Sequence, residues 1–258
     1  MADGSVTFSQ VGSAGHILFD RPDARNAMTW KMYDELALAC EKVKEEPSIK
    51  VATLRGVGGK AFIAGTDISQ FQKFSSGEDG IDYEKNVEAY LSALLSIQVP
   101  TLAVIEGWAV GGGLAIAAAC DIRIATPDAR FGVPIARTLG NCLSVKNLAR
   151  LTAVFGLSRV NKMLFLSEML DADEAKTAGF LSEIILAESI GERADEIAMR
   201  LSNNAPVTLR VTKQALARLA VESDPNDEDL IRQCYGSQDF RNGVKAFVEK
   251  KKPVWLGE

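Results

Sequence analysis

Apolar positions recur along the chain with two distinct periods. In Val6-Thr-Phe-Ser-Gln-Val11 and in His16-Ile-Leu-Phe-Asp20 they alternate, with Gly12-Ser-Ala-Gly15 between them, which predicts a β-hairpin. From Thr29 to Lys44, Met32, Leu36, Ala39 and Val43 return at helical spacing. Asp34 and Glu35 stand in the first turn and Pro47 follows the end, so an amphipathic helix is expected there. Val51–Gly56 then reads as a buried strand, Asp82–Ile97 as a helix, Thr101–Gly107 as a strand, Gly112–Cys120 as a short apolar helix and Asp121–Thr126 as a strand. This alternation predicts an α/β sheet structure. After Ser144 helical patterns dominate, with Ser182–Leu186 the one convincing strand, and from about Gly191 the chain reads as wholly helical. No low-complexity linker separates the two textures, so the helical part is expected to pack on the body or on another subunit.

Composition removes several classes of function. The 258 residues can bury a large core, and 47% hydrophobic with 24% charged residues is globular. A net charge of −5 disfavours a nucleic-acid or anionic-membrane surface. Cys40, Cys120, Cys142 and Cys234 form no Cys-x-x-Cys pair, so neither a disulfide framework nor a metal site is expected, and a reducing cytoplasm fits best. The N-terminal stretch has no signal pattern, and no apolar run reaches the length of a membrane span.

Two stretches carry candidate chemistry. In Glu106–Ala125, three glycines stand between a strand and a helix, where backbone can approach a ligand and the helix aims its unpaired N–H groups back at it. Gly111, Gly113 and Ile116 do not complete a dinucleotide fingerprint, and no phosphate-loop Gly-Lys-Ser/Thr follows. Two readings stay open: an anion or oxyanion cradle, or glycines that let a helix pack tightly on a strand. Lys60–Ile68, KAFIAGTDI, supplies a second such turn after a different strand. Two N–H groups converging on one oxygen are what a carbonyl needs as it becomes an enolate or a tetrahedral oxyanion.

These stretches, with Phe19–Met28 (FDRPDARNAM), Phe131-Gly-Val-Pro134, Glu174–Ile185 (EAKTAGFLSEII) and Asp239–Trp255 (DFRNGVKAFVEKKKPVW), resemble the crotonase, or enoyl-CoA hydratase/isomerase, superfamily in order and over nearly the whole chain. The resemblance implies a spiral of ββα units over residues 1–190 and a helical trimerisation region over 191–258, assembled as a homotrimer or a dimer of trimers. It implies an acyl-CoA thioester as substrate, with CoA entering as part of that substrate and no further cofactor, and a lyase or isomerase activity on it. Ala64 and Gly112 would supply the oxyanion N–H groups. Gly65, Thr66, Asp67 and Ile68 would line the acyl-CoA site, Arg25 and Ala27 would lie along CoA, and Phe247 and Lys250 would approach its adenine and phosphate, often across a subunit boundary.

The chain departs from the hydratase pattern where two glutamates position water and move protons. Those positions hold Ala115 and Ile135, or Ala136 if the second segment is shifted by one. General acid–base groups contribute about 10²–10⁴ each, so efficient hydration is not expected without a replacement. Candidates are Asp67, which reads better as a cap, together with Arg137, Thr138, Asn141, Cys142 and Ser144. The one histidine, His16, lies in an early strand, which removes Ser-His-Asp and Cys-His mechanisms unless it reaches the site. Asp121 is expected to orient its strand, and Glu249–Lys252 would be a solvated face apart from Lys250. The alternative to an enzyme is an acyl-CoA-binding or regulatory protein that keeps the fold without turnover.

Overall fold

A computed structural model describes residues 3–220 and 228–254; the parts of the expected helical region at 221–227 and 255–258, including Trp255, lie outside the described residues. The chain opens with the expected hairpin of β1 (Ser5–Val11) and β2 (Ala14–Asp20), closed by a two-residue loop with Gly12 at φ 57°. Helix α1 (Trp30–Glu45) follows, its first turn capped by Thr29, and buries Met32, Leu36, Ala39, Cys40 and Val43 along the predicted face.

Three ββα units then succeed one another. They are β3 (Val51–Gly56), β4 (Ala61–Ile63) and α2 (Gly77–Leu95); β5 (Thr101–Ile105), β6 (Trp108–Val110) and α3 (Gly112–Ala119); and β7 (Ile122–Ala125), β8 (Arg130–Gly132) and α4 (Ile135–Thr138). The first strand of each unit joins a six-stranded sheet, β1-β2-β3-β5-β7-β10, and the second joins a four-stranded sheet, β4-β6-β8-β9. Corresponding strands of successive units are parallel neighbours. Equivalent turns of successive units therefore emerge side by side, and this places the site.

Helices α5 (Val145–Phe155) and α6 (Leu157–Phe165), β9 (Leu170–Asp171), α7 (Ala172–Thr177) and β10 (Glu183–Ile184) complete this part, followed by α8 (Ile190–Ser202), α9 (Pro206–Ala220), α10 (Glu228–Tyr235) and α11 (Gln238–Val248). Helix α8 lays Ile190, Ala194 and Ile197 on Leu102, Val104 and Ile124 of the large sheet. Helix α10 packs on α2, and α11 on the 3-10 segment Ile68–Lys73.

Two boundaries differ from the sequence reading. Helix α2 starts at Gly77 and not near Asp82, because Asp79 Oδ2 accepts the Ser75 and Ser76 N–H groups at 2.7 and 2.8 Å and begins the helix a turn and a half earlier. The strand expected over Ser182–Leu186 pairs only at Glu183 and Ile184, beside β7. Among the described residues, no helix is long and apolar enough to cross a membrane.

Candidate functional site

The turns after β4 and β6 lie against each other because those strands are parallel neighbours. In the first turn, Gly65 takes φ 101°. Met28 bridges it, donating its N–H to the Gly65 carbonyl at 2.8 Å and accepting the Asp67 N–H at 2.9 Å. The Ala64 N–H is also spent, on the Arg25 carbonyl at 3.0 Å. The Thr66 N–H has no acceptor among the described residues. The sequence reading put the first donor at Ala64; the Ala64 N–H is already paired to a carbonyl, and the unpaired N–H of this turn is that of Thr66.

In the second turn, Gly111 takes φ 54°, donates to the Gly132 carbonyl at 3.0 Å and hands the chain to α3. Gly112 is the first residue of that helix, so its N–H has no partner within it. A Cβ on Gly112 would stand 3.9 Å from the Thr66 nitrogen, 3.3 Å from Thr66 Oγ1 and 2.6 Å from the Tyr33 hydroxyl. The two unpaired N–H groups thus belong to adjoining backbone, and only glycine leaves them room. A Cβ on Gly113 would meet the Ile63 carbonyl at 2.1 Å, so the tight-packing reading of the glycine run also holds, one residue further on.

These turns open on a cavity of about 660 Å³. Its wall includes Arg25, Ala27, Ala64, Gly65, Thr66, Asp67, Ile68, Gly112, Phe247 and Lys250, the residues that the resemblance implies for the oxyanion turns and the acyl-CoA site. Phe247 and Lys250 reach the cavity of their own chain. Arg25 is held in the left-handed region at φ 52°, and its guanidinium lies 5.9 Å over the Trp108 ring. Asn26 fastens this segment through its Nδ2, which donates to the Ala61 carbonyl at 2.8 Å and the Val57 carbonyl at 3.0 Å.

Asp67 acts as the cap it was read to be. It accepts the Ser69 N–H at 3.0 Å and pairs with Arg21 at 2.8 Å. Burial alone would raise its carboxyl, but the Ser69 and Arg21 hydrogen bonds outweigh it and hold it below the usual aspartate value. Thr66 Oγ1 sits between two phenols, 2.8 Å from Tyr33 and 3.0 Å from Tyr83. Burial pushes Tyr33 up to about 12 and Tyr83 well above the ordinary phenol value, so both stay protonated.

The other candidates separate cleanly. Ile135 lines the cavity with Leu139 and Leu143, whereas Ala115 is packed in the core and off its wall. Thr138 and Asn141 line it; Arg137 and Cys142 do not. The Thr138 hydroxyl donates to the Pro134 carbonyl at 2.9 Å, and Ser144 caps α5. His16 is hydrogen-bonded to Thr53 within the large sheet at 2.8 Å, away from the cavity. Asp121 accepts from Thr101 and Lys213 and ties β5 to α9.

Of the lining residues that escaped the sequence reading, Phe71, Tyr83, Leu139 and Leu143 among them, Glu84 is the one that carries a buried carboxylate. Glu84 is 3% exposed and stands in the buried stripe of α2, between Ile81 and Val87. It accepts the Ser144 N–H at 3.0 Å and the Tyr235 hydroxyl at 2.8 Å. The signal was present: a glutamate at a core-facing helical position, where burial of a carboxylate is expensive unless it is used.

Comparison with known proteins agrees with this architecture. A family model described as Enoyl-CoA hydratase/isomerase matches residues 10–258. The chain is similar to the short-chain-enoyl-CoA hydratase of Clostridium acetobutylicum, 30% identical over 257 residues, covering 96% of each. Among solved structures it is similar to an enoyl-CoA hydratase/carnithine racemase from Magnetospirillum magneticum, with TM-score 0.81, 30% identity and coverage of 100% of this chain and 97% of the other. It is likewise similar to a methylmalonyl-CoA decarboxylase complexed with 2S-carboxypropyl CoA, with TM-score 0.90, 25% identity and all of both chains covered.

Proposed function

The chain belongs to the enoyl-CoA hydratase/isomerase family of the crotonase superfamily, and from that premise we propose that its cavity binds an acyl-CoA thioester and stabilises the enolate of that thioester through the N–H groups of Thr66 and Gly112. The observation that carries this reading is the pair of adjoining, unpaired backbone donors opening on one cavity. Charge gathers on the carbonyl oxygen as the Cα proton leaves, and donors fixed beforehand stabilise it without reorganising. Arg25 and Lys250 bring cations to a net acidic chain, as the phosphates of CoA require, and Phe247 offers an aromatic face to adenine.

Ala115 is buried and Ile135 is on the wall, and on the resemblance these positions, or Ala136 for the second, are where the two usual water-positioning carboxylates would stand. Proton transfer at Cα, or migration of a double bond through the same enolate, suits this wall better than addition of water. Decarboxylation is the second reading, favoured by the likeness to the methylmalonyl-CoA decarboxylase structure, because loss of CO₂ forms the enolate with no base. Residues 191–258 are read as the oligomerisation region of a trimer or dimer of trimers. Exposed Met199, Val207, Val211 and Leu216 on α8 and α9 support that assignment.

The test is incubation of butyryl-CoA, crotonyl-CoA and methylmalonyl-CoA in D₂O, followed by mass spectrometry and NMR. Deuterium entering Cα of the first two, or CO₂ lost from the third, supports the enolate reading. Thr66→Pro, which removes the N–H, is expected to slow either by about 10²–10³. Tight thioester binding with no exchange and no product from any of the three would replace it with the acyl-CoA-binding alternative.

A further inference from the structure

Three carboxylates line the cavity: Asp23, Asp67 and Glu84. Asp23 is exposed on the 3-10 turn Pro22–Ala24, and Asp67 is committed to Arg21 and Ser69. Glu84 alone of the three is deeply buried, and it comes to the wall beside Tyr83, whose hydroxyl reaches Thr66 in the oxyanion turn. We propose that Glu84 is the proton-transfer residue of this site, doing from helix α2 what carboxylates at positions 115 and 135 cannot do here; the assignment rests on the enolate reading above.

The surroundings of Glu84 are built to hold it in place. Tyr235 of α10 donates its hydroxyl to Oε1 and in turn accepts from Asn141 Nδ2 at 3.3 Å, while the Ser144 N–H binds Oε2. A carboxylate fixed by donors from two separate elements has little freedom to swing, which is what transfer at a defined carbon requires. Among the described residues, the ionisable groups facing it include Tyr33 on α1, Tyr83 on α2, and Cys234 and Tyr235 on α10. All three phenols are pushed up by burial, so they remain neutral donors while the carboxylate changes charge. If Glu84 served packing alone, a leucine there would fill the stripe of α2 at lower cost than a buried charge.

The step balances within the substrate and this one side chain. The Cα–H bond breaks, its electron pair enters the enolate, and the proton becomes the acid hydrogen of Glu84. When that acid hydrogen swaps for a solvent deuteron before return to Cα, the thioester gains deuterium; delivery to Cγ of a 3-enoyl thioester moves the double bond into conjugation. No water is consumed and no oxidant or reductant is needed.

The experiment measures deuterium exchange into butyryl-CoA and isomerisation of a 3-enoyl-CoA across pH, with binding of each thioester measured by calorimetry. Glu84→Gln is expected to bind normally and to lose about 10²–10⁴ in both rates, together with the rising limb of the pH profile. Tyr235→Phe is expected to lower both rates less than Glu84→Gln does and to shift that limb to higher pH, because the carboxylate loses a positioning donor that favours its charged form. Wild-type exchange rates in Glu84→Gln, with Thr66→Pro inactive, would overturn the Glu84 assignment and leave the enolate reading intact. A limb unmoved in Tyr235→Phe would overturn it too, even if Glu84→Gln fails to fold. No exchange in the wild type would overturn both.

Discussion

Gly80 shows how closely α10 is pressed on α2, and replacing it by alanine tests the packing that holds Glu84. A Cβ there would lie 2.1 Å from Cγ and 2.3 Å from Cβ of Tyr235. Carbon pairs settle near 3.5–4.0 Å, so the ring or the helix must withdraw by roughly 1.4 Å. Tyr235 is 1% exposed and wedged against Phe240, Phe74 and Tyr83, with ring centroids 4.8 to 6.1 Å away. It has nowhere to go without moving α10. Alanine gains about 1 kcal/mol over glycine in a helix interior, whereas overpacking costs about 1–3 kcal/mol and loss of a hydrogen bond to a charged group about 1.5–3 kcal/mol. The net is a destabilisation of about 1.5–5 kcal/mol, or about 3–20 °C in melting temperature for a chain of this size. The assay is thermal unfolding followed by circular dichroism, with Gly191→Ala as the control. A Cβ at Gly191, in α8, meets only the tip of the Arg55 guanidinium, at 3.4 Å, so that variant is expected to melt at or above the wild type. A Gly80→Ala protein melting at or above the wild type would refute the reasoning.

Three further outcomes are expected. Thr66→Val keeps the backbone donor but leaves the buried Tyr33 hydroxyl without its 2.8 Å partner, so denaturant unfolding should show a loss of about 1–3 kcal/mol with exchange activity reduced less than in Thr66→Pro. Gly113→Ala drives a Cβ into the Ile63 carbonyl at 2.1 Å, where neither partner is a flexible side-chain end; the start of α3 must shift, and exchange should fall by about 10²-fold, as on loss of one oxyanion donor. Asp67 has its carboxyl lowered on folding, so its contribution is present above the unfolded value of about 3.9 and is lost as pH falls through the lower folded value. Asp67→Asn should therefore differ from the wild type in stability at pH 7 and converge on it in acid, as measured by urea unfolding at both.

The sequence by itself determined what depends on neighbours along the chain. Thr29 with the stripe Met32, Leu36, Ala39 and Val43 suffices to specify α1, because capping and helical periodicity act within a few turns. The glycines at 65 and 111–113 marked both turns of the site, since backbone at positive φ or in close contact with other backbone excludes a side chain wherever it occurs. The ordered motifs likewise sufficed to bring ten separated residues to one cavity wall. Only the tertiary structure decided which donor is free and which acid is present. Ala64 and Thr66 sit two apart in the same turn, and what separates them is a carbonyl of Arg25, brought there by the segment between β2 and α1. Hydrogen-bond vacancy belongs to a spatial neighbourhood, and no local pattern reports it. Glu84 became visible for the same reason: its place on the cavity wall depends on Tyr235 and Ser144, which only the packing of α10 and the start of α5 bring within reach of its carboxylate.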